Sequence, residues 1–132
     1  WPDVVEGLTR LKTRYIIGTM SNGNIALMVN MAKRAGLPWD VILGAEISRQ
    51  YKPHPDSYRN SVAALGLEPS EVLMVAAHNS DLVAAAEQGM PGAFIARPSE
   101  HGDDQTTDLA PEHEFAYVAR DFCELADQLG CA

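Results

Sequence analysis

The sequence predicts an α/β fold in which a parallel sheet is covered by helices on both faces. Short apolar runs of about four to six residues alternate with helical repeats of about ten residues, the pattern of parallel strands joined by crossover helices. Several of the helical repeats end at a glycine, which commonly terminates a helix. The chain has 132 residues, 46% of them hydrophobic, enough for one core. We therefore expect a single domain over residues 1–132.

The first half of the chain alternates between helical and strand patterns. Glycines at positions 36 and 66 close the second and third helices. The predicted elements are, in order, a helix carrying Val4, Val5, Leu8 and Leu11, a strand at 15–20, a helix from Ile25 to Ala35, a strand at 41–44, a polar loop at 48–55 and a helix carrying Tyr58, Val62 and Leu65.

The second half continues the same alternation and ends in an amphipathic helix. Asp121 is a candidate cap for that last helix. The predicted elements are a strand at 72–76, a helix at 80–88 closed by Gly89, a strand at 93–96, a polar and acidic loop at 98–114, and a helix carrying Phe122, Leu125, Ala126 and Leu129.

The charge balance narrows the class of partner. Ten Lys and Arg against 18 Asp and Glu give a formal charge of -8, which argues against binding to nucleic acid or to an anionic membrane. No apolar run approaches the roughly 20 residues of a membrane span. A small-molecule substrate or a protein partner remains, and a homodimer is left open.

The cysteines suggest a cellular location for the protein, and the N-terminus suggests that the chain belongs to a longer protein. Cys123 and Cys131 match no metal or redox spacing, so we expect free thiols in the cytoplasm. No charged and then apolar leader opens the chain. It begins with Trp1 rather than Met, which predicts that it is a piece of a longer protein.

Three polar segments follow three predicted strands, at 21–24, 51–56 and 77–81. Ligands of open parallel sheets bind beyond the carboxyl ends of the strands, so these segments are expected to line one crevice. The first offers a hydroxyl and an amide before a helix N-terminus, which suits a carboxylate or phosphate. Taken alone, the segment is more typical of a turn at Asn22-Gly23 in which Ser21 or Asn24 caps the helix.

Each of the other two segments also has a functional and a structural interpretation. Lys52 lies in a loop stiffened by two prolines, ahead of a helix that Asp56 could cap, but a lone loop lysine is commonly solvated. His78 and Asp81 could supply an acid or base and a partner for Lys52. In the alternative, Ser80 or Asp81 caps the helix and His78 is an exposed turn residue.

Other chemical motifs are absent from the sequence. It has no Gly-x-Gly-x-x-Gly after a strand, no Walker-type loop, no Cys or His pair at zinc spacing and no Gly-x-Ser-x-Gly elbow. The acidic loop with Glu100, Asp103, Asp104 and Asp108 has no fixed ligand spacing and is expected to be solvated. We therefore predict no metal and no organic cofactor.

Three segments resemble motifs of the haloacid dehalogenase superfamily and occur in the same order along the chain. Residues 20–24 resemble the second motif, residues 51–58 the third and residues 75–81 the fourth. The similarity runs over residues 1–129 and is closest to the type II, (S)-2-haloacid dehalogenase-like branch. It implies a Rossmann-like core and a hydrolase that acts on short 2-halo acids. In that family an aspartate displaces the halide and forms an ester, which water then hydrolyses with inversion.

The resemblance also implies roles for six residues. Ser21 and Asn22 would bind the substrate carboxylate, and Tyr58 would support the site. The implied catalytic residues are Lys52, as the charge partner of the nucleophile, Asp81, which orients Lys52 or water, and His78, which stands where other dehalogenases have a water-holding asparagine.

Ala77 distinguishes between branches of the superfamily. The Mg²⁺-dependent phosphatases have a carboxylate at the position of Ala77, because Mg²⁺ requires hard oxygen ligands. A methyl group there favours metal-free dehalogenation over the alternative, a phosphatase. A non-catalytic α/β binding module is a further alternative.

The family's nucleophile strand and helical cap precede the segment that matches Trp1, and this chain has neither. In the family, that strand lies between the strands matching 15–20 and 72–76. We therefore expect a half-complete and inactive site. The missing strand would come from an N-terminal segment or a swapped neighbour, or the two flanking strands would close the gap.

Overall fold

The computed structural model describes all 132 residues. Its helices are α1 (Val4–Lys12), α2 (Ile25–Ala35), α3 (Ala45–Ser48), α4 (Pro55–Ala64), α5 (Asn79–Ala86) and α6 (Phe122–Gln128), with a 3₁₀ turn at Pro69–Glu71. Its strands are β1 (Gly18–Met20), β2 (Val41–Leu43), β3 (Met74–Ala76), β4 (Gly92–Ile95) and β5 (Tyr117–Ala119).

The strands form two parallel sheets. One contains β1 and β2, with Gly18 opposite Val41, and the other has the order β3-β4-β5, with Met74 opposite Gly92. Every strand pair is parallel, as the alternation of strands and helices predicts. None of the helices is long and apolar enough to span a bilayer.

Strand β4 separates two apolar cores and is buried along its whole length. Its Ala93 and Ile95 belong to the first core, whereas Phe94 belongs to the second. Helices α1 and α6 contribute Leu8, Leu11, Leu125 and Ala126 to the first core, and α4 and α5 contribute Tyr58, Val62, Leu82 and Ala85 to the second. The prediction of helices on both faces is confirmed.

Most predicted elements are present, with three differences. The strand predicted at 15–20 begins only at Gly18, because Ile16 is 76% exposed and lies outside both cores. A short helix, α3, fills residues 45–48 between the predicted strand and the predicted polar loop, where no element was expected. Strand β5 was not predicted, because its three residues follow a long polar loop.

The two sheets are not joined to each other. Strand β1 pairs only with β2, and β3 pairs only with β4, so one edge of β1 and one edge of β3 have no strand partner. Met20 at the end of β1 packs against the same core that contains Met74 of β3. The alternative in which the flanking strands close the gap is therefore not what the structure adopts.

Helices α1 and α6 pack closely, and Asp3 at the N-terminal end of α1 contacts both the start of α6 and Arg97, which follows β4. Arg97 Nη2 lies 2.8 Å from Asp3 Oδ2, which also accepts a 2.9 Å hydrogen bond from the Phe122 N–H. Burial acts to raise the pKa of Asp3, but the hydrogen bonds from Arg97 and Phe122 outweigh it and lower the pKa below its usual range.

Candidate functional site

The segment after β1 makes both a local turn and a contact with the lysine loop. Ser21 Oγ accepts a hydrogen bond from the Gly23 N–H at 3.0 Å, and Asn24 Oδ1 caps α2 by accepting from the Leu27 N–H at 2.8 Å. Asn22 Oδ1 accepts from the backbone N–H of Lys52 at 2.7 Å. The capping interpretation holds for Asn24, while Asn22 fixes the position of the loop that carries the lysine.

Lys52 and Asp81 form an ion pair across the crevice. Lys52 Nζ lies 2.7 Å from Asp81 Oδ2, and the two side chains are only 19% and 14% exposed. Lys52 comes from the loop after α3 and Asp81 from the first turn of α5, so the contact links the two halves of the fold. Limited exposure reduces solvent screening, so the pair is more strongly coupled than a surface salt bridge.

Tyr58 supports Asp81 from the second core. Its hydroxyl donates to Asp81 Oδ1 at 2.7 Å, and the residue is fully buried. Burial, followed by the hydrogen bond to Asp81 and its negative charge, raises the pKa of Tyr58 well above its usual range. Tyr58 therefore stays protonated and acts as a hydrogen-bond donor, which holds the carboxylate in one orientation.

These contacts leave specific atoms available for chemistry. Each oxygen of Asp81 already accepts a hydrogen bond, one from Lys52 and one from Tyr58. The Lys52 ammonium has three donors and uses one on Asp81. The arrangement presents a fixed positive charge with donors to spare, suited to holding a second carboxylate.

The structure keeps His78 apart from this network. His78 is the N-terminal flanking residue of α5 and makes no side-chain capping bond, and neither Ser80 nor Asp81 caps the helix. Its Nε2 instead lies 2.7 Å from Glu100 Oε1. Of the six predicted site residues, Asn22, Lys52, Tyr58 and Asp81 are joined by hydrogen bonds, Ser21 adjoins them in the chain, and His78 faces a different loop.

Sequence reasoning missed Asn79, which organises the loop beside the crevice. Its backbone N–H and side-chain amide both donate to Asp108 Oδ1, at 2.9 and 3.0 Å, and its Oδ1 accepts from the Glu112 N–H. The Asn79 N–H is the main cause that lowers the pKa of Asp108. The signal in the sequence is the position of Asn79, an amide directly after His78 at the carboxyl end of a strand.

The residue that caps the helix after the lysine loop differs from the predicted one. Asp56 was predicted as its cap, but His54 occupies that position, and its Nδ1 accepts from the Asp56 N–H at 3.1 Å. The proline at position 55 takes the first helical position, which moves the cap to the residue before it.

A surface depression with a volume of about 450 Å³ lies elsewhere and is lined by residues including Arg59, Glu68 and Glu87. It holds none of the six predicted site residues. The crevice at Lys52 is the better candidate site, because there charged and hydrogen-bonding groups from three segments converge.

Residues 1–89 match the family described as haloacid dehalogenase-like hydrolase. This chain belongs to that family. The resemblance carried by the three motifs is thereby confirmed.

Two dehalogenases and a phosphatase are among the similar proteins. The chain is 34% identical over 104 residues to the (S)-2-haloacid dehalogenase of Xanthobacter autotrophicus, covering 76% of this chain and 40% of that protein. It is 33% identical over 94 residues to the probable phosphatase IndB of Dickeya dadantii, covering 68% of this chain and 40% of that protein. The crystal structure of a defluorinating L-2-haloacid dehalogenase superposes with a TM-score of 0.97 at 53% identity, covering 99% of this chain and 54% of that one.

This haloacid dehalogenase-like chain therefore spans about half the length of the solved dehalogenase and less of the curated relatives. The superposition over almost the whole chain confirms the predicted fold of parallel strands and covering helices. It also fits the two unpaired strand edges, because the chain corresponds to part of a longer fold.

Proposed function

We propose that the protein containing this chain is a hydrolase that removes halide from short 2-halo acids through an aspartyl-ester intermediate. In this proposal the chain supplies the groups that bind and support, and the nucleophilic aspartate comes from a strand placed between β1 and β3. The observation that carries the proposal is the hydrogen-bonded series Asn22, Lys52, Asp81 and Tyr58 at the edge of that gap.

The first step is a displacement at the halogen-bearing carbon. A carboxylate oxygen of the nucleophile forms a bond to C2 while the bond from C2 to the halogen breaks, and the halide leaves with the electron pair. Lys52 has the role of holding the nucleophile with its free N–H donors, while Asp81 and Tyr58 fix the ammonium in place. A fixed charge needs no reorganisation as the reaction proceeds.

The second step is hydrolysis of the ester. A water oxygen attacks the carbonyl carbon of the aspartyl ester, and the acyl bond breaks to release the 2-hydroxy acid and restore the carboxylate. One proton of the water passes to a base and the other ends on the departing alkoxide oxygen, which gives the hydroxyl of the product. Asp81 and His78 are the residues of this chain assigned to orienting that water. His78 Nε2 is engaged by Glu100, so Nδ1 is the ring atom assigned to this water.

Substrate binding in this proposal relies on the segment after β1. The turn formed by Ser21 and Gly23 places polar groups ahead of α2, where the N-terminal end of the helix favours a negative charge. Ser21 and Asn22 would hold the carboxylate common to 2-halo acids. The preference for a halo acid over a phosphate ester is supported by Ala77, which leaves Asp81 without a neighbouring carboxylate for Mg²⁺.

The proposal is tested by halide release from 2-chloropropionate. We expect no turnover by the 132-residue chain alone, and turnover once a segment carrying the first motif and cap is joined to it. In the completed protein, Lys52→Met should lower kcat by about 100-fold or more, because the charge partner of the nucleophile is lost. Lys33→Met, an exposed lysine on α2, is the matched control and should leave kcat unchanged.

Other outcomes would overturn parts of the proposal. Turnover by the chain alone would show that no missing nucleophile is needed. Mg²⁺-dependent hydrolysis of a phosphate ester without halide release would identify a phosphatase. A completed protein that lacks both activities and binds another protein through the gap would be a binding module.

A further inference from the structure

Two histidines and a glutamate meet at the surface, outside the network of Lys52 and Asp81. Glu100 Oε1 lies 2.7 Å from His78 Nε2 and 3.0 Å from His101 Nε2. One ligand atom from each of the three residues lies within 4.8 Å of the others. The side chains of His78, His101 and Glu100 are 45%, 65% and 29% exposed, so solvent ions reach the cluster.

The sequence did not reveal this cluster, because its members are far apart in the chain. His78 follows β3, whereas Glu100 and His101 lie in the polar loop after β4. Strands β3 and β4 are parallel neighbours, so the segments after both strands lie at the same edge of the sheet. Parallel pairing therefore assembles a set of ligands that spacing rules cannot detect.

The donor set has the chemistry of a zinc site. Imidazole nitrogen and carboxylate oxygen are both common zinc ligands, and three protein ligands leave a fourth position for water. Tetrahedral ligands about 2.0 to 2.1 Å from zinc are roughly 3.3 Å from one another. The two separations from Glu100 Oε1, 2.7 and 3.0 Å, need to widen by a few tenths of an ångström, and the two Nε2 atoms, which lie within 4.8 Å of each other, need to settle at the same spacing.

The two imidazole rings also converge on a single atom. The imidazoles of His78 and His101 are stacked, with ring centroids 6.3 Å apart and an angle of 14° between their planes. Both direct the same atom, Nε2, to the same oxygen of Glu100. An ion between these atoms would replace the hydrogen bond between His78 and Glu100 and the close contact between His101 and Glu100 with three bonds to the metal.

Gln105 holds the loop that carries two of the ligands. Its Oε1 accepts from the His101 N–H at 2.9 Å, and its Nε2 donates to the carbonyls of Arg97 and Thr107 at 3.2 and 2.7 Å. The backbone at His101 is therefore fixed before any ion binds. A fixed loop lowers the entropic cost of assembling the site.

We propose that His78, Glu100 and His101 bind a single Zn²⁺ ion, which connects the loop after β4 to the turn after β3. Mg²⁺ and Ca²⁺ are poor occupants, because they prefer oxygen ligands and two of the three donors are imidazoles. This proposal shares His78 with the proposed hydrolase function but does not rest on that function, since Glu100 and His101 have no part in the proposed reaction and the test measures zinc binding rather than turnover.

The test is titration of the purified chain with ZnCl₂ by isothermal calorimetry. We expect one equivalent to bind, and His101→Ala and Glu100→Gln each to weaken the affinity by about tenfold or more. His113→Ala is the matched control, because His113 is an exposed histidine outside the cluster, and its affinity should change less than twofold. Circular dichroism of each variant checks that the fold is retained.

A second variant separates histidine ligation from thiol ligation. Cys123 is a partly exposed free thiol and could take up zinc by itself. Cys123→Ser should retain the affinity of the unmodified chain. The proposal is overturned if zinc fails to bind with one-to-one stoichiometry, if His101→Ala binds as tightly as the unmodified chain, or if Cys123→Ser abolishes binding.

Discussion

Tyr58 and Asp81 illustrate how a fully buried hydroxyl fixes a partly buried carboxylate. The Tyr58 hydroxyl lies 2.7 Å from Asp81 Oδ1, and its raised pKa keeps the proton on the phenol. Asp81 in turn fixes Lys52. A side chain with no solvent exposure therefore controls the position of a charge at the crevice.

Removal of that hydroxyl tests its contribution. We expect Tyr58→Phe to lower the free energy of unfolding by about 1 to 2 kcal/mol, because Asp81 loses a donor in a site with little water. Chemical denaturation measures the change. Tyr51→Phe is the control, since Tyr51 is exposed and should show no loss. Equal stability of Tyr58→Phe and the unmodified chain would contradict this role.

Asp3 predicts a specific response to acid. Its folded pKa is lowered from 3.8, so it stabilises the fold above that value, and the contribution is lost as pH falls through the lower folded pKa. We expect Asp3→Asn to be less stable than the unmodified chain near about pH 6 and the difference to shrink steadily below about pH 4. Urea unfolding across this range provides the measurement.

The matched control for this acid response is Asp103→Asn, because Asp103 is an exposed carboxylate in the polar loop. Its stability difference should stay small and flat over the same pH range. A difference for Asp3→Asn that stays constant down to the lowest pH would show that the Arg97 pair does not depend on the charge of Asp3.

At the scale of elements, the packing of α1 on α6 depends on Gly7. A Cβ at this position would lie 2.3 Å from Phe122 Cβ and 2.7 Å from the Phe122 carbonyl carbon. We expect Gly7→Ala to destabilise the chain by about 1 to 2 kcal/mol, because overpacking outweighs the gain in helix propensity. Thermal or urea unfolding measures this change.

Thr9→Ala serves as the control within the same helix, since Thr9 is exposed. Its effect should stay within about 0.5 kcal/mol. If Gly7→Ala were as stable as Thr9→Ala, the two helices would have room to separate, and the close contact with Phe122 would not limit their packing.

The elements that could be predicted are those with a periodic apolar face. Helix α2 matches its predicted range from Ile25 to Ala35, because a capping Asn24 and a left-handed Gly36 bound its repeat. Strand β5 and helix α3 could not be predicted, because three or four residues show no period. Their positions are set by tertiary pairing, which the local sequence does not encode.

In the whole molecule, the three-stranded sheet has more strand pairing and burial than the two-stranded sheet. Strand β4 pairs on both edges and is covered on both faces, whereas β1 pairs on one edge only. We expect the β4 amides to exchange hydrogen more slowly than those of β1, because opening β4 disrupts both cores. Hydrogen exchange followed by mass spectrometry tests this, and equal rates in the two strands would contradict it.

The order of strands and helices predicts the part of the candidate site that lies at the strand ends, but not the contacts made by the polar loop. Lys52 and Asp81 could be paired in advance, because both follow the carboxyl ends of parallel strands, where ligand-binding residues gather. The contact of His78 with Glu100 could not, since the polar loop has no period from which to place it. Asn79 was missed for a related reason, because its partners lie in the same loop.

The absence of a shared ladder between the two sheets has a mechanical consequence. Backbone hydrogen bonds resist sliding within each sheet, but only side chains resist sliding of one sheet against the other. We therefore expect the two sheets to move against each other more easily than strands move within either sheet, and the pair of Lys52 and Asp81 connects the two halves. Any shear between the halves changes the site directly, so core substitutions far from the crevice can alter the distance between these two charges.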